Sequence, residues 1–80
     1  MMISGSKVAV LEQVRVVDIH GTQYCDVWYH HRDDGVSRSA RIGKEDIYAD
    51  AQPGDIVSVF YLMQVVTSVQ PYHKTTGGQQ

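Results

Sequence analysis

The sequence predicts an all-β domain, a small antiparallel barrel of five strands. Three observations carry this. Val-rich runs of strand length are divided by Gly, Pro and Asp clusters. The chain has eighty residues, enough for one compact core, and a single cysteine, which excludes an internal disulfide or a zinc site of paired cysteines. The first apolar run is too long for one straight strand.

That run is Lys7 to Ile19, "KVAVLEQVRVVDI", whose apolar residues change parity between Val14-Val16 and Val17-Ile19. A bulge or sharp bend there lets one strand serve both sides of a small barrel. His20 to Thr22 is the first turn, Gln23 to Arg32 the second strand, Asp33-Asp34-Gly35 the second turn and Val36 to Ile42 the third strand. Gly43 ends it, and Lys44 to Ala51 forms a short helix with Ile47, and with it Ala51, facing inward. Pro53-Gly54 is a tight turn, and Asp55 to Leu62 and Met63 to Gln70 are the closing strands, with no strong turn former between them. The expected domain covers residues 7–71, after a flexible 1–6 and before a polar, Gly-rich, disordered tail over 72–80.

The order of three strands, a short helix and two strands, with a bent first strand, resembles the five-stranded oligonucleotide/oligosaccharide-binding (OB) barrel. The resemblance is one of pattern, without a residue signature of any OB family. An SH3-like barrel or another rolled sheet is the alternative, although the helical turn of an SH3-like barrel normally precedes the last strand.

The segment "YCDVWYHHRDDG", Tyr24 to Gly35, concentrates the chemistry. With Asp34-Gly35 at the centre of a type I′ turn, pairing runs Arg32 with Ser37, His31 with Arg38, His30 with Ser39, Tyr29 with Ala40, Trp28 with Arg41 and Val27 with Ile42. Cys25, Val27, Tyr29, Ala40 and Ile42 then form a core face, with His31, Val36 and Arg38 toward its tip. Tyr24, Asp26, Trp28, His30, Arg32, Ser37, Ser39 and Arg41 face solvent, with Trp28 across from Arg41 for a cation–π contact. A three-residue loop slips the pairing by one and buries Trp28, but it turns Val27 and Tyr29 outward and brings Asp26, His30 and Arg38 in.

A metal set drawn from His20, Cys25, Asp26, His30 and His31 fails on geometry. His30 and His31 point to opposite faces, and Cys25 and His31 stand about 20 Å apart along a strand. No metal or cofactor is expected. Cys25 on a core face has no activating base, and no nucleophile elbow, phosphate loop or zinc-protease motif is present, so the chain is read as no enzyme.

What remains is a binding module. Tyr24, Trp28 and His30 offer stacking surfaces, Arg32, Arg41 and Arg15 offer charge, and Ser37 and Ser39 leave room for a strand. Together they form a face suited to single-stranded DNA or RNA. The net charge of −2 sets a limit on that reading. All four arginines lie in the first 41 residues, and Glu45, Asp46, Asp50 and Asp55 follow. The alternative is therefore a protein partner or a homo-oligomer on the same Trp, Tyr and Arg surface, acidic stretch against arginine face. "FYLM", Phe60 to Met63, must leave one pair of large apolar residues outside, which again suggests assembly. No apolar stretch reaches the roughly twenty residues of a membrane span, and no charged leader opens the chain; the expected location is the cytoplasm, without a membrane partner.

Overall fold

Ala9 and Leu11 hold the inward positions of the first strand at odd numbers, and Val14 packs inward at an even one. Strand alternation allows that switch only if one residue is left over, and the pairing register slips between Leu11 and Gln13. The bulge is thus at Glu12, earlier than the sequence reading put it, and it divides the strand's duties. The segment from Ser4 to Val10 pairs with the fourth strand, and that from Ala9 to Ile19 with the second.

The structure, a computed structural model, describes residues 4–72. Its elements are β1 (Ser4–Ile19), β2 (Thr22–His31), β3 (Ser37–Gly43), a 3-10 turn (Lys44–Asp46), β4 (Ile56–Leu62) and β5 (Val65–Pro71). All five strands join one antiparallel sheet in the order β3-β2-β1-β4-β5. β1 begins three residues before the expected domain start. The tail expected over 72–80 lies, from residue 73, outside the described residues, as do residues 1–3 of the expected flexible start.

Two expectations are corrected. The sheet curls but does not close: β3 and β5 remain its edges without pairing, and among the described residues a parallel bridge joins Val69 of β5 to Ile47, in the segment that follows β3 and the 3-10 turn. The expected helix over Lys44 to Ala51 is a three-residue turn, because Ile47 adopts extended backbone (φ −134°, ψ 146°) to make that bridge. Ile47 is nevertheless buried and Ala51 packs on the core, as their spacing suggested. Tyr48 donates to Asp55 Oδ2 at 2.6 Å and pins the connection to the start of β4.

The turns carry their own lesson. His20-Gly21 joins β1 to β2 with φ of 52° and 85°, the left-handed pair that a type I′ turn needs. Met63-Gln64 joins β4 to β5 in the same way, with φ of 51° and 70°, so Met63 is a turn residue and not the start of β5. The β2–β3 connection is a five-residue loop rather than a two-residue turn. Gly35, at φ 67°, donates its N–H to His31 C=O at 2.8 Å, and Asp34 Oδ1 accepts from Val36 N–H at 2.9 Å.

Pairing therefore runs His30 with Ser37, Trp28 with Ser39, Asp26 with Arg41 and Cys25 with Ile42. This is two residues away from the predicted register. A slip of two keeps every side chain on its face. Cys25, Val27, Tyr29 and Ile42 are buried with Ala9, Leu11, Val57, Val59 and Val69 in the core, as expected. The predicted pairing of Trp28 with Arg41 is not.

Candidate functional site

On the outer face, β1, β2 and β3 lie side by side, and Arg15 and Arg41 flank Asp26 from its two neighbouring strands. Arg41 grips it in bidentate fashion, Nε to Oδ1 at 2.6 Å and Nη2 to Oδ2 at 2.9 Å. Arg15 Nη2 reaches Oδ2 at 3.5 Å. Asp26 is 9% exposed. The hydrogen bonds from Arg41 hold its carboxyl below the usual range against the opposing effect of burial, and Asp26 in turn raises Arg41.

Arg15 also takes the place expected of Arg41 beside the tryptophan. Its guanidinium carbon lies 5.7 Å from the centroid of the Trp28 ring. Register explains the exchange: Trp28 is directly opposite Gln13, which sets Arg15 on the diagonal, within reach of a long side chain. Trp28 is half-buried, and with Asp26, Ser39 and Arg41 it lines a shallow depression of about 370 Å³.

The other predicted residues divide. His30 Nδ1 lies 2.8 Å from Glu12 Oε2, and Ser37 Oγ donates to Glu12 Oε1 at 2.7 Å. The bulge residue thus ties these two to each other, and the bond from Ser37, then that from His30, lowers the Glu12 carboxyl. Ser39 is exposed across from Trp28, and Tyr24 is half-buried between Val17 and Gly43. Arg32 stands in the loop and forms no ion pair among the described residues. The structure thus brings together Trp28, Arg15, Arg41 and Ser39 around Asp26, whose role as their anchor sequence reasoning did not assign.

A second site lies where the sheet fails to close. Between Ser39-Ala40 of β3 and Val65-Val66 of β5 is an open cleft of about 780 Å³. Its floor is a hydrogen-bonded chain. The Tyr29 and Tyr61 hydroxyls are 2.8 Å apart, and the Tyr61 hydroxyl is 2.8 Å from His31 Nε2, with the His31 and Tyr61 rings edge to face. His31 is buried, which lowers its pKa, and the Arg38 charge lowers it further; burial and the bond to Tyr61 push Tyr29 up. At the rim, Lys7 Nζ meets Asp33 Oδ2 at 2.7 Å, and Arg38 meets Asp34 at 3.0 and 3.2 Å. The hydrogen bond from Arg38, then the Val36 N–H, brings Asp34 down to about 2. Tyr61 was legible only as a member of "FYLM", whose alternation did not say which pair faces inward.

His31, Asp33 and Asp34 can bring ligand atoms within 4.8 Å of one another, yet Lys7 and Arg38 already take both carboxylates. Cys25 is 2% exposed, and burial raises its thiol, the reverse of what a nucleophile needs. No protein-family model, curated protein or solved structure matches this chain.

Proposed function

We propose that the chain is a small non-enzymatic binding module whose outer β1–β2–β3 face docks a protein partner, a second copy of the chain being the first candidate. One observation carries this reading: Asp26 holds both Arg41 and Arg15, and Glu12 beside His30 puts a second carboxylate on the same face, so the charge of its two arginines is offset by two acids. Phosphate recognition draws on spare positive charge, whereas pre-oriented Arg and half-exposed Trp are the side chains that anchor protein interfaces. The same side of the sheet continues onto β4, where Ile56, Phe60 and Leu62 stand exposed.

Single-stranded nucleic acid is the second reading. It is favoured by Arg32, which has no acidic partner among the described residues, and by the open shoulder of Ser39 beside Trp28. The strand order supports it too, since an OB barrel with its β3–β5 seam unzipped has this order.

Light scattering across a concentration series, read with Trp28 emission, tests the first reading. The expected outcome is a dimer or larger species whose assembly shifts the emission to the blue, and which Trp28→Ala or Arg41→Ala dissociates. A monomer at every concentration whose emission an oligonucleotide quenches at low salt overturns it in favour of the second.

A further inference from the structure

The cleft between β3 and β5 shares Ser39 and Ala40 of the edge strand with the depression on the outer face, but its other lining residues are its own and chemically one-sided. Lys7 and Arg38 line it, and no acidic residue among those described does. Asp33 and Asp34, which pair with these cations, approach them from the β2–β3 loop and stay outside the lining. Lys7 is 45% exposed and Arg38 35%, so each can turn to a second anion at small cost. Ala40, Val65 and Val66 supply apolar walls, and the volume is within the range of small-ligand pockets.

The floor adds a donor that answers to the occupant. In one arrangement Tyr29 donates to Tyr61 and Tyr61 donates to His31 Nε2, which leaves no O–H for a ligand. In the reverse arrangement His31 Nε2–H donates to Tyr61, Tyr61 donates to Tyr29, and the Tyr29 O–H is left to point into the cleft. The reversal needs a shift of the imidazole tautomer and a rotation of the two hydroxyls, with no movement of heavy atoms. An acceptor in the cleft selects it.

We propose that this cleft binds a small organic anion, one acidic head on a flat apolar body. The head lies between Lys7 and Arg38 within reach of the Tyr29 hydroxyl, and the body lies along Ala40, Val65 and Val66. Charge complementarity at the rim and hydrogen-bond capacity at the floor point to the same class of ligand.

A pair of dyes tests it on the full chain: anilinonaphthalene sulfonate, which carries the anionic head, and N-phenylnaphthylamine, which has the same rings without it. The sulfonate is expected to bind at one site, and Lys7→Gln with Arg38→Gln to weaken it about tenfold while the neutral dye is unaffected. Asp33→Asn with Asp34→Asn frees both cations and is expected to tighten the sulfonate several-fold, a gain that a damaged fold does not mimic once the neutral dye again stays unchanged. Equal affinity for the two dyes overturns the proposal. So does sulfonate binding that survives the Lys7 and Arg38 changes but is lost in Phe60→Ser with Leu62→Ser on the outer face.

Discussion

On the outer face Asp26 takes Arg41 at 2.6 Å and Arg15 at 3.5 Å, all within three adjacent strands, and Glu12 beside His30 adds a second carboxylate, so two acids balance two arginines where they stand. At the cleft Lys7 and Arg38 take Asp33 and Asp34 from a loop, so the cations line the opening and the acids lie behind it. One strand feeds both places: β2 sends Asp26, Trp28 and His30 outward, and Tyr29 and His31 inward. Matching charge inside a sheet makes a surface of fixed shape and low field. Matching it through a loop leaves a site that a ligand can claim. The floors differ as well, since Asp26 is served by half-exposed cations that can rehydrate, whereas Tyr29 and His31 are buried and depend on Tyr61.

The sharpest way to break this contrast is Tyr61→Phe. It leaves the buried Tyr29 hydroxyl and His31 Nε2 without their shared partner, and chemical denaturation is expected to show a loss of about 2 kcal/mol. A loss no greater than that of Asp26→Ala refutes the contrast.

The far end of the cleft gives a change of opposite sign. Met63 and Gln64 hold left-handed backbone that costs roughly 1 kcal/mol per non-glycine residue. Met63→Asn with Gln64→Gly, the pair a type I′ turn prefers, is expected to stabilise the chain by about 1 kcal/mol. An unchanged denaturation midpoint contradicts the strain.

Asp26→Ala is expected to cost about 1 kcal/mol, because both arginines regain water. It also releases two cations on the outer face, so oligonucleotide affinity measured at low salt rises if the nucleic-acid reading is the better one.

The smallest effect separates the floor of the cleft from its rim by pH. The folded pKa of His31 lies below its ordinary 6.5, so the unfolded chain takes up the proton first. Its contribution to stability is full above about pH 6.5 and falls as the pH drops through the lower, folded value. Asp34, brought from 3.8 to about 2, stabilises above its ordinary value and loses that contribution as the pH falls through about 2. Denaturation midpoints across pH are expected to show a decline below 6.5 that His31→Gln flattens and a separate one in stronger acid that it does not touch. An unaltered upper decline in His31→Gln contradicts the assignment.

Much of the fold was legible because alternation is local. Val-rich runs, His20-Gly21 and the two faces of "YCDVWYHHRDDG" follow from period two and from turn chemistry, and the two-residue error in register left the faces intact for the same reason. Met63-Gln64 was illegible as a turn because neither residue favours positive φ; the strand pairs on either side impose it. The helix over Lys44 to Ala51 failed because a bridge to Val69, far along the chain, outweighed local spacing.

The sequence by itself determined an all-β chain with a bulged first strand, an inward set and an outward set, because those depend on a residue and its immediate neighbours. Only the tertiary structure decided that Arg15 covers Trp28, that Asp26 anchors two arginines, that Tyr61 joins Tyr29 to His31, and that β3 and β5 do not pair. Each of these depends on register between strands distant in sequence, and the bulge that sets this register on β1 is at Glu12, not between Val16 and Val17 where the local pattern put it.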